Sequence, residues 1–311
     1  MMTAAADHFL TFDNHRRGID LRCHLTTSFF TRNQRYPRGL YTGLTFKMQE
    51  RLPERFLRAR GCECTWVCPS AAVIWEQRRR EGATVPEFKR YAVYYLPPEG
   101  ALARFGAEWL GWDVVAGCPA APPQEVTVDP RPLTETPRKY GFHATIKPPF
   151  RLAKGAEPAA LGAAFAAFCA AQPRVALQAL AVARLGRFLA LVPTGEVTAL
   201  NALAAAAVSG LDSYRAPLNA AELARRRQAQ LSPRQDALLT QWGYPYVMDQ
   251  FRFHMTLTSK LPKAEAIALE EVLRAHLAPL LPTPFQIDSL SLVGEDAEGM
   301  FHEVTRCRLA G

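Results

Sequence analysis

The fold is decided by two short stretches of this sequence, FHATI at residues 142–146 and FHMTL at residues 253–257. Both follow the pattern Phe-His-x-Thr-aliphatic, and only 7 histidines occur among the 311 residues. Because side chains alternate across a β-strand, the His and Thr of each stretch face one side while the apolar residues face the other. The repeat therefore predicts two equivalent strands, each with a polar face over an apolar core.

Two such strands brought together would present two imidazoles and two hydroxyls to one groove. An unperturbed imidazole titrates near pH 6.5, so one ring can accept a proton while the other donates one. Threonine hydroxyls can donate hydrogen bonds to phosphoryl oxygens and stabilise the charge that develops there. The pattern predicts in-line attack on a phosphodiester, with His143 and His254 as the acid–base pair and Thr145 and Thr256 holding the phosphoryl group. It leaves open which histidine is the base.

Two other interpretations fit a single His-x-Thr strand. Histidine is often a half-buried, hydrogen-bonded residue with a structural role. It is also the commonest metal ligand, but neither motif contains a carboxylate and Asp249 is the only acid nearby. The duplication favours the phosphoryl-transfer site, for which we predict neither a metal nor a cofactor.

The segments around the two motifs alternate between strand-like and helix-like patterns. Strands are predicted at 91–96, 140–146 (ending at Pro148-Pro149), 251–257, 285–293 and 301–309, with two short ones within 175–193. Helices are predicted at 101–112, 158–171, 197–208, 233–242 and 263–281. This mixture predicts an α+β fold with mainly antiparallel sheets. The sequence contains neither the dinucleotide-binding fingerprint nor a P-loop.

The first 88 residues differ from the rest of the chain in composition and in hydrophobic pattern. They hold four of the seven cysteines but no sustained helical or alternating pattern. A zinc site is one interpretation, although the paired spacing of zinc knuckles is absent; its candidate ligands are Cys23, His24, Cys62, Cys64 and Cys68. We favour a poorly ordered N-terminal extension at 1–88, which an upstream start codon could add as non-native sequence, before a functional domain at 89–311.

Composition excludes several classes of protein. The chain is 49% hydrophobic and 21% charged, which is typical of a globular protein rather than a disordered or collagen-like one. Its net charge of +8 permits a phosphate-bearing ligand without requiring one. The sequence shows no secretory h-region and no apolar run of about 18 residues, and its cysteines are irregularly spaced. We therefore expect a reduced, cytoplasmic protein with no membrane association.

The paired motifs resemble those of the two-histidine (2H) phosphoesterases. Longer blocks are similar to a bacterial branch of that superfamily associated with phosphonate metabolism. These blocks are RYAVYY at 90–95, ARFG at 103–106, WLGWD at 109–113, KYGFHATIKPPFRL at 139–152, WGYPYVM at 242–248 and FRFHMTLT at 251–258. The resemblance covers about residues 89–311.

The resemblance implies the 2H phosphoesterase, or RNA ligase-like, fold. In that fold two pseudo-symmetric lobes, here about 89–195 and 196–311 with swapped elements, face each other across a central cleft. It implies His143, Thr145, His254 and Thr256 as catalytic residues and a small phosphate ester or cyclic phosphate as substrate. It also implies a context of phosphonate catabolism, with enzymes of that pathway as candidate partners. The 111-residue spacing of the histidines implies an insertion within 209–241 that reshapes or covers the cleft.

Four further residues are candidates for substrate binding. Lys147 lies on the same face of the predicted strand as His143, so its ammonium could reach a phosphate; the alternative is that Lys147 is a solvent-exposed lysine. Arg252 shares the predicted face of His254 and could bind a phosphate through two hydrogen bonds. Tyr140 and Tyr244 could stack on a base or a sugar, although tyrosines beside Gly and Pro more often pack structurally. The run Arg225-Arg226-Arg227 is most simply a solvated helix face, with a substrate lid as the alternative.

Two other functions remain open from the sequence. One is RNA end processing, either cyclic-phosphate hydrolysis like an RNA 2′,3′-cyclic phosphodiesterase or ligation like a 2′-5′ RNA ligase. That function predicts salt-sensitive binding of single strands in a basic, aromatic groove. The other is a non-catalytic accessory protein that binds a phosphorylated metabolite of a phosphonate pathway.

Overall fold

A computed structural model describes residues 88–311 and, before them, three short strands. The chain forms two compact units, Met1–Trp66 and Val67–Gly311. In the first unit the strands β1, β2 and β3 pair antiparallel in that order; their bounds are His8–Thr11, Arg22–Thr26 and Gly43–Phe46. The cysteines proposed above as zinc ligands lie outside the described residues, except Cys23 in β2.

The second unit contains eleven strands and six α-helices among its described residues. Its strands are β4 Arg90–Tyr95, β5 Trp112–Asp113, β6 Cys118–Pro119, β7 Ala144–Phe150, β8 Val175–Leu177, β9 Ala179–Leu185, β10 Phe188–Thr194, β11 Met255–Thr256, β12 Phe285–Ile287, β13 Ser289–Glu295 and β14 Phe301–Arg308. Its helices are α1 Ala101–Leu110, α2 Pro158–Ala171, α3 Thr198–Gly210, α4 Ala220–Arg227, α5 Pro233–Trp242 and α6 Lys263–Leu277.

One seven-stranded sheet organises this unit. Its strand order is β14-β13-β4-β7-β11-β10-β9, and every neighbouring pair is antiparallel. The mixed α+β class with antiparallel sheets is therefore confirmed. The two motif strands, β7 and β11, are direct neighbours near the middle of the sheet.

The apolar residues of the two motifs face the core, as their alternation predicts. Ala144 and Met255 are fully buried, and Phe142 and Phe253 are about 5% and 4% exposed. On this side of the sheet Trp109 of α1 is also fully buried, and its indole N–H donates to the carbonyl of Leu257 at 2.7 Å. This bond fixes α1 to the residue that follows β11, so the core holds the second motif in place.

Local sequence signals set the ends of the helices beside the site. Ser232 and Gln235 form a capping box at the start of α5, Pro233 occupies the first turn, and Gly243 ends the helix in the left-handed conformation. Asn219 and Glu222 form a second capping box at the start of α4. Helix α4 and all of α5 except its last residue, Trp242, lie in the segment 209–241 for which the sequence predicts an insertion.

Some predicted boundaries are wrong. Strand β7 continues through Pro148 and Pro149 to Phe150 instead of ending at the prolines. Prolines are tolerated there because β11 pairs with β7 only at Ala144, so the missing N–H groups interrupt no ladder on that side. The predicted strand at 251–257 contracts to Met255–Thr256, and the helix predicted to reach residue 281 ends at Leu277 in a short 3₁₀ turn. Within the described residues, no helix is both long enough and apolar enough to cross a bilayer.

Candidate active site

The register of the central strands brings the two motifs together. Met255 of β11 stands opposite Ala144 of β7 in an antiparallel pair. Continuing that register by one residue in each direction places His254 opposite Thr145 and Thr256 opposite His143. Directly opposed residues have Cβ atoms about 4.5–5.5 Å apart, and diagonal neighbours such as the two histidines are about 7–8 Å apart. All four side chains thus share the face of the sheet opposite to the buried Ala144 and Met255.

His143 is held in one orientation by a backbone carbonyl two residues before it. Its Nδ1 lies 2.9 Å from the carbonyl oxygen of Gly141. Because a carbonyl only accepts, Nδ1 carries the proton and Nε2 carries the lone pair in the neutral ring. Nε2 faces the Thr145 hydroxyl at 3.1 Å, so that hydroxyl donates to the ring.

His254 repeats this arrangement. Its Nδ1 lies 2.8 Å from the carbonyl oxygen of Arg252, two residues earlier, as Gly141 is two residues before His143. Both motifs therefore protonate Nδ1 locally and leave Nε2 for the groove. The ring of Phe188 lies beside the His254 ring at a centroid separation of 5.9 Å.

The two histidines differ in the side chains that pack against their rings. The ring of Tyr94 stacks on His143 with centroids 3.8 Å apart and an interplanar angle of 22°. Tyr94 is fully buried, and none of the described residues forms a hydrogen bond with its hydroxyl. Burial lowers the pKa of His143 to about 4; the nearby His254 also lowers it, against the opposing effect of the Gly141 carbonyl. His143 is therefore neutral at physiological pH, with Nε2 able to accept a proton.

We expect the His143 ring to titrate with a pKa of about 4 rather than 6.5. In a pH series of two-dimensional NMR spectra, its ring nitrogens should keep the shifts of a neutral Nδ1–H tautomer down to about pH 5. Because the unfolded chain binds this proton near pH 6.5 and the folded chain near pH 4, the free energy of unfolding should fall as pH decreases through that window. His143→Gln should remove this contribution. A midpoint near 6.5 would contradict the burial of the ring.

The two threonines are placed differently in detail. Both are partly exposed on the groove face. The Thr145 hydroxyl is engaged with His143, so a bound phosphoryl oxygen would compete for it. Thr256, opposite His143 in the register, has no such bond to its own histidine among the bonds within the described residues. Thr256 is therefore the donor that is free for a ligand before any rearrangement.

Lys147 is buried rather than solvent-exposed. Its side chain is 2% exposed, and Nζ donates to the carbonyl of Val208 at 2.7 Å and lies 3.5 Å from an oxygen of Asp212. Burial lowers its pKa to about 8, with Asp212 acting in the opposite direction. Its ammonium ties β7 to the C-terminal end of α3 and lines a pocket beyond the motifs.

The other three candidates differ in their surroundings. Arg252 is exposed, and its backbone carbonyl orients His254. The ring of Tyr140 lies 6.1 Å from that of His143 and packs against Phe301 at 5.3 Å. Tyr244 is half-buried under the guanidinium of Arg226, 5.1 Å from its ring centroid. Contact of these side chains with a substrate stays a prediction.

Sequence reasoning missed two residues that shape the site. Tyr94 was indistinguishable from its neighbours in the aromatic run at 91–95, because β4 and β7 pair with an irregular register that a strand pattern does not reveal. Gly141 supplies the carbonyl that orients His143, and its backbone adopts φ 66° and ψ −175°, which a residue with a side chain rarely adopts. The second motif has Arg252 at the equivalent position, so the repeat did not single out the glycine.

The described residues from Phe88 onward contain no group of three or more His, Cys, Asp and Glu side chains arranged to hold a metal ion. The chemistry visible in the groove is that of two imidazoles, two hydroxyls and their aromatic and basic surroundings.

Comparison with known proteins gives a family and two relatives. Residues 145–302, just over half of the chain, match the family described as "Protein of unknown function (DUF1045)"; the match contains Thr145, His254 and Thr256 and begins two residues after His143. The chain is 40% identical over 223 residues to the ribose 1,5-bisphosphate phosphokinase PhnN of Janthinobacterium sp. (strain Marseille), covering 68% of this chain and 48% of the relative. It is 34% identical over 221 residues to the protein of the same name from Laribacter hongkongensis (strain HLHK9), covering 71% and 51%. The chain thus spans about half the length of these curated relatives.

Proposed function

Since the chain belongs to the family of unknown function DUF1045, we propose its activity from the chemistry of the groove: a metal-independent phosphoesterase that hydrolyses a cyclic or diester phosphate. The observation that carries this proposal is the pairing of Met255 with Ala144, which sets the two His-x-Thr motifs side by side. As diagonal neighbours in the sheet the two histidine residues are about 7–8 Å apart, which leaves room for a phosphorus atom between their Nε2 atoms once the Thr145 hydroxyl turns from His143 to the ligand.

The proposed reaction divides the proton transfers between the two rings. Neutral His143 accepts a proton from a water molecule at Nε2 as the water oxygen attacks phosphorus. In this scheme His254 enters the reaction as the imidazolium, protonated at both ring nitrogens; as the opposite P–O bond breaks, the leaving oxygen takes the Nε2 proton and the ring becomes neutral with Nδ1–H still bonded to the Arg252 carbonyl. Thr256 and Thr145 donate hydrogen bonds to the non-bridging oxygens, where negative charge increases in the transition state. One water is consumed, and proton exchange with solvent restores both rings.

The names of the relatives support a substrate related to sugar phosphates. Both are named for phosphorylation of ribose 1,5-bisphosphate, and the name PhnN fits the phosphonate context that the resemblance implies. Opening of a cyclic phosphodiester on a phosphorylated ribose yields a ribose bisphosphate. A phosphoesterase acting on such a compound would therefore produce the class of compound that the relatives are named for using.

A sugar-phosphate kinase is the second candidate function. It is favoured by the 40% identity to a protein named as a phosphokinase. Against it, the sequence contains no P-loop, and half of each relative has no counterpart in this chain.

One assay separates these candidates. Purified protein is incubated, with EDTA present, with a panel of nucleoside 2′,3′-cyclic phosphates, ribose cyclic phosphates with and without a 5-phosphate, and an RNA ending in a cyclic phosphate. Products are identified by ³¹P NMR. A parallel reaction contains ribose 1,5-bisphosphate, ATP and Mg²⁺. Hydrolysis of a small cyclic phosphate in EDTA is expected. ATP-dependent phosphorylation without hydrolysis would replace the phosphoesterase by the kinase, and turnover of RNA alone would assign RNA end processing.

A further inference from the structure

A strongly basic pocket lies next to the groove on the same side of the sheet. Between β7, the end of α3 and helices α4 and α5 it has a small cavity of about 30 Å³ that opens into a wider mouth; the space free of atoms, open solvent included, is about 520 Å³. Six cationic side chains line it: Arg90, Lys147, Arg151, Arg215, Arg225 and Arg226. Among the described residues, Glu222 is the single carboxylate in this lining. Such a concentration of positive charge is costly unless anions compensate it.

The carboxylates around the pocket do not balance this charge. Glu295 binds Arg90, and Glu222 binds Arg151 at 2.8 Å. Asp212 serves two cations, Arg215 at 2.7 Å and Lys147 at 3.5 Å. Three carboxylates thus compensate six cations, so the pocket keeps an excess of about three positive charges.

The excess is concentrated on two adjacent residues of α4. Within the described chain, Arg225 and Arg226 form no ion pair and donate no hydrogen bond, and the Nε of Arg226 is buried without a partner. Burial is the first cause that lowers the pKa of Arg226, and the neighbouring Arg225 and Arg90 lower it further. Arg226 is half-buried, whereas Arg225 and Arg227 are both exposed; of these two, Arg227 pairs with Asp236 at 2.7 Å.

The pocket is within reach of a molecule bound at the two histidines. Lys147 follows Thr145 by two residues on β7, a rise of about 6.6 Å along the strand. On β4, Arg90 and Tyr94 are four residues apart and so lie on the same face of the strand, and the ring of Tyr94 stacks on His143. A five-carbon sugar is about as long as the distance from the motif residue Thr145 to Lys147 in the lining of the pocket.

We propose that this pocket binds a second anionic group of the substrate, a phosphate monoester, so that the enzyme acts on a cyclic phosphodiester of a phosphorylated sugar. The proposal rests on the phosphoesterase function and specifies its substrate class. Arg225 and Arg226 are the residues that bind the monoester, because their donors are unpaired, while Arg90 and Arg215 are fixed by their carboxylates.

Kinetics with matched substrates test the pocket. The double variant Arg225→Gln/Arg226→Gln is expected to raise KM at least tenfold for a ribose cyclic phosphate that carries a 5-phosphate, with kcat changed less than threefold. For the same compound without the 5-phosphate, KM should stay unchanged. Arg227→Gln, on the same helix but outside the pocket, should match the wild type on both substrates. Equal losses on both substrates, or no loss on either, would overturn the proposal.

A binding measurement separates failure of the pocket from failure of the phosphoesterase function. Calorimetric titration with ribose 5-phosphate should show binding to the wild type and to Arg227→Gln, at least tenfold weaker binding to the double variant, and none with ribose. This result together with no hydrolysis of any cyclic phosphate would retain the anion pocket and refute the phosphoesterase. Hydrolysis together with equal affinity of wild type and double variant would refute the pocket alone.

Discussion

Replacing either histidine by alanine is expected to lower kcat for a cyclic phosphodiester by about 10²–10⁴-fold, the usual contribution of a positioned acid or base. In the proposed reaction His143→Ala removes the neutral Nε2 that accepts the proton, and His254→Ala removes the group that donates one on the opposite side of phosphorus. KM should change little, because each ring transfers its proton in the transition state and is not needed to bind the substrate in the ground state. The double variant should lose less than the product of the two single effects, since the two rings act as one unit.

His276→Ala is the matched control for this prediction. That residue lies in the last turn of α6, away from the motif strands, and its replacement should leave kcat unchanged. Circular dichroism and thermal unfolding would establish that each variant is folded. Full activity of a folded His143→Ala or His254→Ala protein would remove that residue from the mechanism.

Gly141→Ala is expected to destabilise the protein by about 3 kcal/mol or more and also to reduce turnover. The backbone at Gly141 has φ 66° and ψ −175°, a region that costs about 1–3 kcal/mol for a residue with a side chain. An added Cβ would lie 2.0 Å from Cγ2 of the buried Val114, so overpacking adds a further cost of about 1–3 kcal/mol. Relief of that contact would move the carbonyl that accepts from His143 and disturb the ring. Urea unfolding and the cyclic-phosphate assay measure the two effects.

Gly155→Ala isolates the packing contribution. Gly155 also has a positive φ, of 81°, but nothing lies within 4 Å of a Cβ built there. Its replacement should cost the backbone strain alone and leave turnover at the wild-type level. Equal destabilisation by the two variants would show that Val114 yields without cost, and wild-type turnover in Gly141→Ala would show that its carbonyl is not needed to orient His143.

The sequence predicted best those features that depend on local pattern. Helices at 158–171 and 233–242 match α2 and α5 at both ends, because their starts carry Pro in the first turn and their apolar residues recur with helical spacing. The burial of Phe142, Ala144, Phe253 and Met255 followed from strand alternation. The α+β class followed from the mixture of hairpins and helices.

Features that depend on pairing between distant segments were not predictable. The sequence alone does not show that β11 pairs with β7 at a single position, so the prolines appeared to end a strand that in fact continues. The burial of Lys147 requires the carbonyl of Val208 and the carboxylate of Asp212, both more than sixty residues away along the chain. The unpaired state of Arg225 and Arg226 was not predictable either. In sequence they look like part of an ordinary solvated helix face, and only the structure shows that the neighbouring carboxylates bind other cations.

The placement of both motifs on hydrogen-bonded neighbours in one sheet has a dynamic consequence. Two side chains on separate rigid bodies could be brought together and parted by hinge bending, but here the pairing of Met255 with Ala144 sets the spacing of the two histidine residues. Parting His143 from His254 would require local unzipping of the sheet, which is far costlier than a side-chain or surface-helix movement. Preorganisation of the two rings is thus inherent in the backbone.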